Sequence, residues 1–197
     1  MGKLIITVGR ETGSGGRLIG ESLAQRLNIP CYDKKLIIET ARRSGFHEEV
    51  IKENEEKKPK FFWGAGLYGY ENPLPVQLFI EQSNVIKEVA QNGSCVIIGR
   101  CSDYVLKEEY NVVNIFVHSP EEARARRVAE RENLTLDKAK VHILRTDKAR
   151  AAYYNYFTGQ TWGESKNYHL TLDSEKLGIG GAVDLIMQYL KIRDLIG

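Results

Sequence analysis

Leu4-Ile5-Ile6-Thr7-Val8-Gly9-Arg10-Glu11-Thr12-Gly13-Ser14-Gly15-Gly16-Arg17 decides how the rest of the chain is read. Leu4–Val8 is apolar and rich in β-branched residues, as a strand buried on both faces of a parallel sheet is. It runs into a glycine-rich turn, and Arg17–Leu27 follows with Ile19, Leu23 and Leu27 on one helical face. Parallel sheets bind ligands at the carboxyl ends of their strands. There, loop N–H groups and the positive end of the next helix make a concave site for an anion. The loop is nevertheless irregular. Gly-Ser-Gly-Gly-Arg stands where the common phosphate loop has Gly-x-Gly-Lys-Ser/Thr. The dinucleotide pattern Gly-x-Gly-x-x-Gly fits Gly13 and Gly15 but meets Leu18 at its third position. A ligand-free turn is the plain alternative, yet Gly9, Gly13, Gly15 and Gly16 are more glycine than a turn requires.

Bulk properties narrow the classes. The 197 residues suit one domain with a sizeable core, and 42% hydrophobic with 27% charged residues suits a globular protein. A net charge of +2 is too balanced to argue for nucleic acid as the main partner, and none is expected. No apolar run approaches the ~18–20 residues of a membrane span. The chain enters its first strand at once, without a secretory or transit segment. Cys31, Cys95 and Cys101 are odd in number and form no Cys-x-x-Cys pair, which fits a reducing, cytoplasmic location. The four histidines are too scattered for a metal site, and no metal ligand is assigned.

The pattern then alternates strand and helix. Strands are expected at Ile29–Tyr32, Ser94–Ile98, Val112–Val117 and Tyr168–Leu172, and helices at Lys35–Arg43, Gln77–Gln91, Asp103–Glu108 and Gly181–Ile196. Pro120 suits a first helical position with Ser119 as its cap, and helical sequence continues to about Phe157 with a break near Asn133. Residues 46–76 form an insertion with a mobile tip, whose rings between Phe61 and Tyr70 serve a substrate cover, base stacking or a subunit interface, leaving a homo-oligomer open. The whole predicts a single α/β domain, 1–197, with one five-stranded parallel sheet and helices on both faces.

Several residues gather at the carboxyl edge. Arg100 directly follows the third strand, where a guanidinium holds a phosphate or carboxylate bidentately. Asp33 follows the second strand, and Asp103 is a weaker candidate of the same kind. Arg124, Arg127 and Arg131 share a helical face, as do Asp147 and Arg150. Cations converging there would neutralise a polyphosphate, whereas a solvated face balanced by glutamates is the alternative.

In this order, Ile6–Arg17, Pro30–Asp33, Val96–Tyr104, Ile115–Val117 with Arg124 to Arg131, Thr146–Arg150 and Tyr168–Asp173 resemble the nucleoside monophosphate kinases, most of all the cytidylate kinase-like family. The resemblance implies a P-loop NTPase-type three-layer sandwich with strand order 2-3-1-4-5. It implies ATP as donor, Mg2+, and a nucleoside monophosphate such as CMP or dCMP as acceptor. Carried over, Thr12, Gly13, Ser14, Gly15, Gly16 and Arg17 hold the donor phosphates. Asp33, Arg100 and Asp103 hold the acceptor, with 46–76 on the acceptor side. Arg127, Arg131, Asp147 and Arg150 belong to a lid region, 124–165, and act with Arg17 in catalysis. The departures are specific: one register puts Gly16 for the lysine and Arg17 for the Ser/Thr, the other puts Arg17 for the lysine and Leu18 for the Ser/Thr. Both lose the usual magnesium hydroxyl, which leaves Ser14 or Thr12 as substitutes and keeps a non-catalytic nucleotide sensor, or a kinase of another small metabolite, as competing readings.

Overall fold

The computed structural model describes residues 2–33 and 74–197. The elements run β1 (Ile5–Arg10), α1 (Gly16–Leu27), β2 (Cys31–Tyr32), α2 (Leu74–Asn92), β3 (Cys95–Ile98), α3 (Ser102–Val105), β4 (Val112–His118), α4 (Glu121–Glu132), α5 (Leu136–Thr158), a 3-10 turn (Ser165–Asn167), β5 (Leu170–Asp173) and α6 (Ser174–Ile192). The five strands form one sheet in the order β2-β3-β1-β4-β5, all parallel. The expected helix at 35–43 and the 46–73 part of the insertion lie outside the described residues.

Two cores follow from the two-residue period of the strands. Ile6 and Val8 of β1, with Val96, Val113, Ile115, Val117 and Leu172, face α1 and α6 through Ile19, Leu23 and Ile186. Ile5, Ile97 and Val112 point the other way, onto Val85, Ile86 and Ala90 of α2. Gly20 sits where α1 crosses the sheet, and a Cβ there would lie 3.1 Å from the Ile98 side chain, so the glycine sets how close the helix packs. The register brings Val8 level with both Ile98 and Ile115, and Arg10 level with Val117. The ends of β1, β3 and β4 therefore share one rim, which is what the candidate site requires.

Several boundaries differ from expectation; α2 begins at Leu74, inside the expected 46–76 insertion, and α3 is the short Ser102–Val105 where Asp103–Glu108 was expected. Pro120 is the N-cap of α4, with the helix beginning at Glu121. Ser119 does not cap it: its hydroxyl accepts from Arg127 Nη1 at 3.1 Å instead of from a backbone N–H of the first turn. The last helix begins at Ser174, capped by Asp173, and Gly178 breaks its backbone with φ of 68°. The expected start at Gly181 falls just after that left-handed step, inside the observed helix. The fifth strand starts at Leu170, since Ser165–Asn167 closes a 3-10 turn ahead of it.

Ile115 is fully buried at the centre of β4 between β1 and β5. Ile115→Ala should lower unfolding free energy by about 2–5 kcal/mol with an unchanged urea m-value.

Candidate functional site

The loop between β1 and α1 is held from behind. Thr12 is engaged at each of its polar atoms. Its N–H donates to Asp147 Oδ1 at 2.8 Å, its carbonyl accepts from Arg124 Nη1 at 3.1 Å, and its hydroxyl accepts from Arg150 Nη1 at 3.1 Å. Arg124 is buried and also pairs with Asp147 Oδ2 and, at 3.2 Å, with Glu11 Oε2. Arg127 donates to the Gly13 carbonyl and to Ser119 Oγ, and pairs with Glu175. Ser174 Oγ donates to the Ser14 carbonyl. These contacts fasten the carbonyl side of the loop to α4, α5 and α6.

The opposite side of the loop presents N–H groups. Gly15 is the left-handed N-cap of α1, at φ 79°. Among the described residues the amides of Gly13, Gly15, Arg17 and Leu18 form no hydrogen bond, while Gly16 N–H reaches Ser14 Oγ. Such orphan donors at the positive end of a twelve-residue helix suit an anion. The glycines themselves answer to packing. A Cβ on Gly13 would lie 2.7 Å from the Arg124 carbonyl, and one on Gly16 would lie 2.5 Å from Arg10 Cβ.

Magnesium fits less well. Ser14 is fully buried, its hydroxyl donates to the Glu11 carbonyl, and the Thr12 hydroxyl receives Arg150. Glu11 and Asp147 are committed to Arg124. No group of three or more His, Cys, Asp or Glu residues suited to a metal occurs among the described residues. The donor set around the loop does not build a magnesium site of its own.

Across the rim, Gly99, Arg100 and Cys101 have φ of 69°, 63° and 54°. Two consecutive non-glycine residues in this region carry strain of about 1–2 kcal/mol each. The turn is pinned by Ser102, whose N–H and hydroxyl both donate to the Gly99 carbonyl. It turns Arg100 into a cleft shared with Arg10, Arg150, Asp103, Tyr154 and Tyr168. A wider hollow of about 530 Å³ lies on the other side of the loop, between Glu11, Ser119, Trp162 and Asp173.

Asp103 lies within the cleft wall. Tyr154 Oη is 2.6 Å from Asp103 Oδ2 and 2.9 Å from Gln160 Oε1. One phenolic proton cannot serve both oxygens fully. Burial raises the Asp103 pKa, and burial with the Asp103 charge raises that of Tyr154. The Tyr154 phenol donates to Asp103, and burial outweighs that hydrogen bond in holding the Asp103 pKa above the ordinary carboxyl range.

Arg127, Asp147 and Arg150 therefore meet at the Thr12–Gly16 loop, and Arg100 and Asp103 line the neighbouring cleft with Gly9, Arg10 and Arg150. Two expected residues are placed elsewhere. Arg131, in the last turn of α4, is exposed and pairs with Glu132 at 2.7 Å, because the helix has by then passed the loop. Arg17 leaves the loop along the outer face of α1 and lies 2.9 Å from Glu21 and 3.3 Å from Asp33. Arg124 was visible in sequence as one of a basic row, but not as the buried member. Arg10 and Tyr154 gave no periodic signal.

A parallel sheet in this order, with a glycine loop leaving its central strand, defines a P-loop kinase-type α/β protein. The model of the cytidylate kinase-like family matches residues 5–176, so the chain belongs to that family. Its relatives include cytidylate kinases of Methanopyrus kandleri, 25% identical with 88% of this chain and 86% of that one covered, and of Methanococcus vannielii, 23% identical with 95% and 100% covered. Among solved structures, an uncharacterized protein from Eubacterium ventriosum superposes with a TM-score of 0.73 at 29% identity, covering 96% of this chain and 99% of that one. Shikimate kinase from Bacteroides thetaiotaomicron, at 16% identity and TM-score 0.60 over 96% of this chain and 99% of its own, shares the fold.

Two predictions follow from the loop and the cleft wall. Asp147→Ala leaves Arg124 buried with Glu11 as its remaining carboxylate and should cost about 3 kcal/mol in chemical denaturation; Arg124→Ala added to it should cost less than the sum of the single changes. For Asp103, both states are protonated well below the ordinary carboxyl range. As pH rises through that range the unfolded chain releases the proton and the folded one keeps it, so stability falls towards the raised pKa. Asp103→Asn should thus gain melting temperature relative to wild type at pH 8 compared with pH 4, and an equal difference at both would refute the raised Asp103 pKa.

Proposed function

We propose that the chain transfers the γ-phosphoryl group of ATP to a nucleoside monophosphate, with CMP or dCMP as the acceptor. The observation that carries this reading is the shared rim of strand ends, where the amide-lined loop leaves β1 and the Arg100 turn leaves β3 beside a cleft lined by Arg10, Arg100 and Arg150. The cytidylate kinase names of the relatives support the choice of acceptor. ATP supplies the activated phosphoryl group, and any magnesium travels with its phosphate oxygens. The hollow beside Glu11 and Trp162 has room for the donor nucleoside.

The protein's part is positioning and charge. The loop amides fix the donor phosphates, while Arg100, and with it Asp33 at the end of β2, orients the acceptor. Arg150 joins the cleft from α5 and ties that helix to Thr12. An acceptor phosphate oxygen forms the new bond to the γ-phosphorus as the bond to the β–γ bridging oxygen breaks. The electron pair stays with the departing diphosphate, and no redox change occurs. Arginines facing both partners offset the charge that accumulates. Closing α5 and its aromatic residues over the cleft excludes water as a competing acceptor. The reaction suits a cytoplasmic small-molecule enzyme, and no helix among the described residues is long and apolar enough to cross a membrane.

The committed hydroxyls of Ser14 and Thr12 favour a second reading, a nucleotide sensor without turnover. Incubation with ATP and a panel of monophosphates, with Mg2+ or Mn2+, separates the two: ADP and CDP formation is expected, and nucleotide binding without ADP formation would establish the sensor. Arg100→Gly should keep or raise the melting temperature, since glycine relieves the left-handed turn, while raising the acceptor KM at least about tenfold.

A further inference from the structure

Gly16 stands where one register of the common phosphate loop has its lysine, and the structure supplies a reason for the glycine. A Cβ at Gly16 would meet Arg10 Cβ at 2.5 Å and Val117 Cβ at 3.1 Å. Arg10 Cβ is fixed close to the β1 backbone and cannot swing away as the end of a long side chain can. From there the Arg10 side chain crosses the head of α1 to β3, where its Nη1 lies 2.0 Å and its Cζ 3.0 Å from where a Gly99 Cβ would be. Two glycines from separate elements are thus spent on the passage of one arginine. Its guanidinium ends at the Gly99–Arg100 turn, in the cleft with Arg100 and Arg150. Arg17, the residue that the other register would put in the lysine's place, is turned onto Glu21 and Asp33.

We infer that Arg10 is the phosphate-contacting cation of this loop, taking over from the β1 end the role that a lysine at position 16 has in the common phosphate loop. The inference rests on the phosphoryl-transfer reading for the identity of the phosphate, and on steric geometry for the identity of the residue. Arg10 spans the ground between the α1 head, where the donor phosphates belong, and the β3 turn, where the acceptor belongs. A guanidinium at that place bridges oxygens of two phosphate groups, which a lysine ammonium does less well. The arrangement also accounts for the missing lysine without a loss of positive charge: the cation has moved six residues towards the N-terminus.

The test is a swap. Binding of inorganic tripolyphosphate is measured by calorimetry alongside turnover, for wild type, Arg10→Gly, Gly16→Lys and the double variant, each checked by circular dichroism and thermal melting. Arg10→Gly should weaken tripolyphosphate binding at least about tenfold, the scale of one charge-assisted hydrogen bond. Gly16→Lys alone should lower the melting temperature through its collision with Arg10. In the double variant only the 3.1 Å approach to Val117 remains, and binding should recover most of the loss. A folded Arg10→Gly that binds tripolyphosphate like wild type overturns the proposal, as does a folded double variant with no recovery. Should wild type bind tripolyphosphate and produce no ADP with any monophosphate, the phosphoryl-transfer reading fails while the role of Arg10 is still decided by the binding series. Absence of binding by wild type overturns both.

Discussion

The buried pair between Arg124 and Asp147 is the interaction on which the site depends. Each partner spends a second contact on Thr12, one on its carbonyl and one on its N–H. A buried ion pair is weak evidence for stability, since desolvation offsets much of its attraction. Its value here is geometric. The carbonyls of Thr12, Gly13 and Ser14 are directed into protein, which leaves the loop amides of Gly13, Gly15, Arg17 and Leu18 unclaimed among the described residues. The pair also joins α4 to α5 at the point where both touch the loop, so the expected lid and the phosphate loop form one hydrogen-bonded unit.

Strain and packing supply the second half of the rim. The left-handed Gly99–Cys101 turn and its Ser102 anchor aim Arg100, and Phe116 fills the space beneath. A Cβ on Gly9 would lie 2.8 Å from the Phe116 ring, which also meets Trp162 edge-on and tilts against Tyr168. The aromatic wall of the cleft is continuous with the sheet through that one ring. Tyr154, reaching Asp103, carries the wall onto α5.

What the sequence disclosed follows from range. The five-stranded parallel sheet with helices on both faces was legible because β-branched runs and helical periods are local patterns, its strand order came with the family resemblance, and the rim positions of Arg100 and Asp33 follow from strand ends. The roles of Arg124, Arg127 and Arg131 were not legible, because a helical face says which residues point together and not what lies opposite. Arg124 meets Asp147 and Thr12 far along the chain, Arg127 grips the back of the loop, and Arg131 meets solvent. The misplaced Ser119 cap has the same origin: its hydroxyl went to Arg127, eight residues further along the chain, whose side chain is drawn to the loop. Gly16 was legible as a departure from a pattern, but its cause lay in the volume of Arg10.

The crossing of Arg10 over Gly16 also bears on how such loops diverge. No single substitution leads from this loop to a lysine loop without loss. Adding the lysine first sets two side chains on one spot, and removing the arginine first takes a cation from the rim. The two positions are thereby coupled through space, and Gly99 is drawn in with them at the far end of the same side chain. A change at any one of the three alters the room left to the other two, so the glycine at position 16 is held by what stands beside it.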